Sequence, residues 1–421
     1  MRLKRTLSLF DATALGIGAI IGAGIFVILG VASGLAGPAI ILSIILAGIV
    51  ASFTAVSYGK LSSTYPKEGS VYVFGKYAIS PRVGFIAGWF WLFENIIAGV
   101  TVSIGLGSYI HTLFPVIPIV AAAAGGPFFL TILNLVGIKQ SSIFNALLVI
   151  LKVSALALFV IIGFAHLNFN FYYPFAPKGL KGILNGAALI FFAFIGFGRP
   201  TTTAEEIKNP RRTVPLSVGL ALGISFLTYL LVGFTLVGLE PYQQLANSGS
   251  PLADAIDYGI KIYWLKVFIS FAAIAATLSV LLTTLIGVSR VTFAMARDGY
   301  LPKYLSKVHW KYGTPYRAVL ITGLFMSFLP LVVNISQSAN ITNFCSLLVY
   351  ALVNLSAIFM WKKSKKKHEK LFLFISLLGL ISCVILMFFL SWLSWLVGII
   401  WLLIGLFYYR TYVKTFLKRI R

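Results

Sequence analysis

The chain has 421 residues, 59% of them hydrophobic and only 10% charged, with a mean hydropathy of +0.96, so its apolar surface cannot be hidden inside one water-soluble core. It reads as an integral membrane protein. A formal charge of +24 would suggest a nucleic-acid binder in a soluble protein, but here the charge is segregated by loop, which membrane orientation explains without any nucleic acid.

Hydropathy predicts about twelve spans, near 12–34, 38–60, 83–110, 117–137, 142–164, 185–203, 214–239, 264–295, 316–334, 341–361, 371–390 and 392–409, each close to the ~20 apolar residues a bilayer requires. With the basic start Met1–Arg5 inside, alternate connections hold 27 Lys and Arg residues against 4 in the others, which are Lys178, Lys181, Lys261 and Lys266. The positive-inside rule then places both termini in the cytoplasm of a multi-pass plasma-membrane protein. The basic start runs straight into a long apolar segment with no small-residue cleavage site, so no cleavable signal peptide is expected. Cys345 and Cys383 lie apart in apolar runs, suggesting neither a disulfide framework nor a thiolate metal site.

The first span carries Gly16, Gly18, Gly22 and Gly24 within "GIGAIIGAGIF", although glycine costs a helix interior roughly 0.5–1 kcal/mol relative to alanine. The sixth carries Gly196-Phe197-Gly198-Arg199-Pro200, in which Pro200 also removes a backbone donor. Five spans separate the two interruptions, so they run in opposite senses, the pattern of an inverted repeat with two discontinuous helices meeting at the midplane. The alternative is close packing through small residues, since Gly18 and Gly22 fit a small-xxx-small spacing. The longest polar connections, 61–82, 165–184, 240–263 and 296–315, are too short for a soluble domain; 241–259 has only a weak signal for short interfacial helices.

Three ionisable residues are expected at membrane depth: Glu94, Lys152 and Arg199. Such residues are costly in lipid and are functional candidates by default. If Glu94 and Arg199 pair, Lys152 is left to load and lose a proton; alternatively Lys152 is a permanent cation paired with Glu94. Arg199 can pair with Glu94 or Glu205, or face the ligand, in which case anionic or neutral ligands are favoured over polycations. Unwinding at Ile21, Gly22, Ala23, Gly24 and Ile25 would expose amides at the positive end of a half-helix, suited to a carboxylate. His111, His166, His309 and His368 lie in loops or at span ends; no HExxH, CxxC, Ser-His-Asp or GxxxxGK[ST] pattern is present, so no enzyme, metal, cofactor or ATP-driven pump is expected.

"GIGAIIGAGIF" (16–26), "YPKEGSVYVFG" (65–75), "FFAFIGFGRPTTTAEEIKNPRRTVP" (191–215) and "SRVTFAMARDGYLP" (289–302) resemble the amino acid-polyamine-organocation superfamily of secondary transporters, in order and spacing across residues 8–361. The resemblance implies an all-α, LeuT-like fold of five plus five spans in residues 1–361. Residues 362–421 would add two spans and a basic tail. It implies alternating-access transport of amino acids or related amines in a lipid bilayer, with H+ as the favoured coupling ion. It implies that the carbonyls of Phe192, Ala193 and Ile195 accept the substrate ammonium while Phe192 and Phe197 close over it. It places the Lys152 ammonium where sodium-coupled relatives bind sodium, between spans 1 and 8. Two departures are Arg199, where the family often has an acid directly after the IGF-type triplet and Gly198, and Gly69-Ser70 in place of a Gly-Gly pair. Sodium coupling through Thr277, Ser279, Thr283 and Thr284, an exchanger needing no proton, and a membrane amino-acid sensor are the alternatives.

Overall fold

The computed structural model describes residues 7–65, 70–136, 142–202, 207–364 and 370–413. Helix α1 (Leu9–Ile20) starts at a capping box in which the Asp11 amide donates to Ser8 Oγ (3.3 Å) and the Ser8 amide donates to the Asp11 carboxylate (2.9 Å). It stops at Ile20. The chain unwinds through Ile21–Ala23, resumes as a π-helical turn over Gly24–Ile28 and continues as α2 (Leu29–Ala36). Gly37, at φ +67°, makes the turn into α3 (Ile40–Thr64), a conformation that L-residues with side chains resist.

Next come α4 (Ser70–Ala78), α5 (Pro81–Leu113), α6 (Ile119–Val136) and α7 (Ser142–Phe164). The sixth predicted span is composite: α8 (Gly179–Ile190), a 3-10 turn over Phe191–Phe194, an irregular stretch, then the short α9 (Arg199–Thr202). α10 (Pro210–Leu239), α11 (Tyr242–Leu245), α12 (Pro251–Ala255), α13 (Tyr263–Arg297), α14 (Tyr316–Phe328), α15 (Ile335–Ser364), α16 (Lys370–Met387) and α17 (Trp392–Tyr408) complete the chain.

Among the described residues, nine helical stretches are long and apolar enough to cross a membrane, the first of them Leu9–Thr64, and Ile119–Leu135 and Tyr316–Leu331 are shorter apolar helices. The outward faces carry apolar residues such as Phe129, Ile161, Leu227 and Phe388, as a lipid-facing surface requires. The inside is equally apolar, with Phe26, Phe85, Phe90, Phe159, Phe191, Phe194 and Phe197 wholly buried.

Two connections are more structured than their polarity suggests. Within 61–82, α4 buries Val71, Val73 and Phe74, and within 240–263, α11 and α12 bury Leu245, Leu252, Ala253 and Ala255 in the protein rather than lying at an interface.

The last two helices attach by different means. α16 is tied by polar contacts: Ser57 Oγ lies 3.0 Å from Ser376 Oγ, and Asn354 Nδ2 donates to Thr54 Oγ1 (3.0 Å), itself 3.8 Å from Cys383 Sγ. α17 is held by Trp401, stacked on Trp89 at 4.4 Å between ring centroids, each indole N–H donating to the other's backbone carbonyl (3.1 and 3.3 Å). Trp401→Ala removes the stack and the bond that its own indole donates, so it is expected to cost about 2 kcal/mol of stability, read as a lower thermal unfolding midpoint in detergent, whereas Trp392→Ala, at an exposed position, leaves it unchanged.

At the C-terminal end of α10, burial, reinforced by Asp254 and Asp257, raises the Glu240 carboxyl to about 7, and its Oε2 has no hydrogen-bond partner among the described residues. An acid whose pKa is raised in the folded state binds more protons folded than unfolded between its two pKa values, so stability falls as pH rises from the ordinary carboxylate range towards 7. Glu240→Gln is therefore expected to raise the melting temperature at pH 8 and leave it unchanged at pH 4, measured by thermal shift.

Candidate functional site

Where a helix stops inside an apolar core, every freed carbonyl and amide must be accounted for. At the end of α1, Ile17 O accepts the Ile21 amide (2.8 Å) and Gly22 O accepts the Phe26 amide (3.3 Å). Gly18 O and Ile21 O accept from the wholly buried Lys152 ammonium of α7, at 3.1 and 3.2 Å. A cation at a helix C-terminus also meets the negative end of its dipole. Ile20 O lies 2.9 Å from the Tyr229 hydroxyl of α10, and Phe26 O accepts from Tyr109 of α5 at 2.6 Å. The amides of Gly22, Ala23, Gly24 and Ile25 donate to no acceptor among the described residues. They form a row of free donors opening the π turn.

The second break faces the first. The same Tyr229 hydroxyl lies 3.0 Å from Ala193 O, so one side chain reaches a carbonyl at each interruption. A Cβ on Gly24 would stand 2.3 Å from Ala193 Cα, and one on Gly196 would stand 2.7 Å from Ala19 O. Gly196 is further required by its φ of +115°, and Gly22 by Val280 of α13, 2.8 Å from where a Cβ would be. The glycines that read as space for a ligand are thus also where one broken helix touches the other. Asn343 of α15 ends α8, donating to Ala188 O (2.8 Å) and Leu189 O (2.9 Å).

The remaining predicted residues distribute as follows. Phe192 O accepts the Ile195 amide at 3.2 Å, and Ile195 is extended, its carbonyl receiving no backbone donor. Phe192 is buried beside the break, whereas Phe197 sits in an aromatic cluster, 5.4 Å from Tyr58 and 5.2 Å from Tyr350. Glu94 and Arg199 both line a cavity of about 40 Å³ with Tyr58, Trp91, Asn95, Gly196, Gly198 and Tyr350.

No ion pair joins Glu94 to Arg199 or to Lys152 among the described residues. Glu94 Oε1 instead accepts from Ser346 Oγ of α15 (2.7 Å), and its Oε2 has no hydrogen-bond partner. The Arg199 guanidinium packs against α13 at Gly287, where a Cβ would stand 2.8 Å from Nη1. Glu205, the other acid considered for Arg199, lies outside the described residues, as does Gly69. On α13, Thr277 and Thr283 spend their hydroxyls on carbonyls of their own helix, while Ser279 Oγ has no partner.

Tyr109, Tyr229 and Asn343, which close the backbone accounts, are not distinguishable in the sequence from other aromatic or amide residues in apolar runs. Tyr229→Phe leaves a buried carbonyl at each break without its donor. It is expected to cost about 1–2 kcal/mol of stability, read as a lower melting temperature in detergent, and more than Tyr172→Phe, whose hydroxyl serves one carbonyl at a half-buried site.

Two interrupted helices, a row of unused amides beside shared carbonyls, and an ammonium capping one helix end form a site built largely from backbone. Residues 11–419 match the family model described as amino acid permease. The chain is 34% identical to a methylthioribose transporter of Bacillus subtilis (88% of this chain, 83% of that protein) and 33% identical to a branched-chain amino acid permease of the same organism (98% and 94%). It is 33% identical to cationic amino acid transporter 2, vacuolar, of Arabidopsis thaliana (85% and 60%). This multi-pass membrane protein belongs to the amino acid permease family, within the amino acid-polyamine-organocation superfamily, whose members are transporters rather than enzymes.

Proposed function

We propose that this permease carries amino acids across the plasma membrane by proton-coupled symport and alternating access. Residues 1–361 form the LeuT-like inverted-repeat core, residues 362–421 are an addition, and both termini are cytoplasmic. One observation carries the substrate assignment: among the described residues four amides at Gly22–Ile25 lack acceptors, and beside them Ile20 O and Ala193 O share one hydroxyl proton. A zwitterionic amino acid supplies what both sides lack, a carboxylate for the amides and an ammonium for the carbonyls. Charge placement supports the orientation, since the basic residues gather on one set of connections.

Lys152 is the coupling group in this scheme. Its ammonium occupies two carbonyls at the end of α1 that a sodium ion would otherwise need, and losing its proton's charge weakens its hold on that helix end. Relatives are named for methylthioribose, branched-chain and cationic amino acids, so selectivity belongs to the side chains around the backbone site. Arg199, in the cavity with Glu94, disfavours polyamines by charge repulsion, leaving neutral and acidic amino acids.

Purified protein in liposomes under an imposed pH gradient tests the scheme with a panel of labelled amino acids and a polyamine. Uptake of a neutral or acidic amino acid into empty vesicles is expected to follow the gradient, and to fall roughly tenfold or more in Lys152→Ala protein that still melts cooperatively. Uptake only into preloaded vesicles, indifferent to pH, overturns coupling in favour of exchange. Preferential uptake of the polyamine overturns the role of Arg199.

A further inference from the structure

A cavity lies away from the breaks, at the periphery of the molecule between α3 and α10. It is a groove of about 510 Å³ whose walls include Ala55, Gly59, Gly219, Gly223 and Phe226, with Lys60 at one end. Its floor is bare because Gly219 and Gly223 are exposed and a Cβ on either would meet no atom within 4 Å. From Pro215 to Phe226 it follows twelve residues of α10, a rise of ~16 Å at ~1.5 Å per step, about half of the ~30 Å hydrocarbon thickness of a bilayer. It therefore spans one leaflet.

Its two ends differ. Phe226 bounds the apolar end. At the other, Lys60 lies against Phe372 of α16 (5.9 Å to the ring centroid), and Arg211 and Arg212 are exposed one turn before Pro215. Among the described residues no acidic side chain lines the groove. A slot one leaflet long, apolar along its length and basic at its mouth, complements an anionic lipid: phosphate at the basic end, acyl chain along the glycines.

We propose that this groove is a binding site for an anionic phospholipid of the leaflet on the basic side of the molecule. The bound chain fills the seam between α3 and α10, and Lys60 holds the headgroup. Naming that leaflet cytoplasmic rests on the orientation proposed above, but the binding does not.

Native mass spectrometry of the full chain, delipidated in detergent and offered phosphatidylglycerol or phosphatidylcholine with identical acyl chains, tests the site without requiring transport. One phosphatidylglycerol is expected to be retained in preference. Lys60→Gln is expected to cut that preference roughly fivefold, the effect of one basic residue at a membrane surface. Gly223→Phe, pointing into open space, is expected to remove the retained lipid of either kind, and Gly219→Leu gives the same readout should that variant fail to fold. Equal retention of both lipids, or a lipid count unchanged by the filling variants, overturns the proposal. So does a dimer that Gly223→Phe dissociates, because a second copy would then be the occupant.

Discussion

A bilayer supplies no water to a backbone that leaves its helix, so every group freed at membrane depth must find its partner within the protein. In this permease that requirement is met by a few long side chains reaching in from other helices. Lys152 comes from α7, Tyr229 from α10, Tyr109 from α5 and Asn343 from α15, each ending on carbonyls of an interrupted helix. The breaks are consequently hubs rather than gaps: four helices are registered against them by directional bonds. The amides of Gly22–Ile25 stand outside this economy among the described residues, and the proposed substrate carboxylate would complete it.

The broad architecture was legible because its signals are local. Apolar length located the helices, the clusters of glycine located both interruptions, and a lone lysine in an apolar run marked Lys152. What escaped depends on distant partners. Tyr229 is one of 19 tyrosines, and nothing near it in the chain reveals that Ile20 and Ala193 converge on it. Glu94 shares a small cavity with Arg199, and nothing near it in the chain reveals that one of its carboxylate oxygens also takes the hydroxyl of Ser346, more than 250 residues away. The role of Gly24 was half-read: local composition shows that the helix weakens there, whereas the contact with Ala193 requires the fold. α4 was hidden because its buried face is short and its flanks are polar.

The peripheral helices follow a different logic. α16 is joined to α3 and α15 by small hydroxyl, amide and thiol groups that permit close approach, α17 to α5 by two large indoles. Lipid competes poorly with either kind of contact, since tails offer neither hydrogen bonds nor matched aromatic faces. These joints bear on α3 and α5, which also border the groove and the small cavity respectively, so the last two helices pack on helices that flank both.

Tyr229 carries one proton and stands within reach of two carbonyls, neither of which has another donor among the described residues. At any instant one of them goes unserved. The two broken helices therefore compete for one proton, and their separation decides which of them the hydroxyl holds.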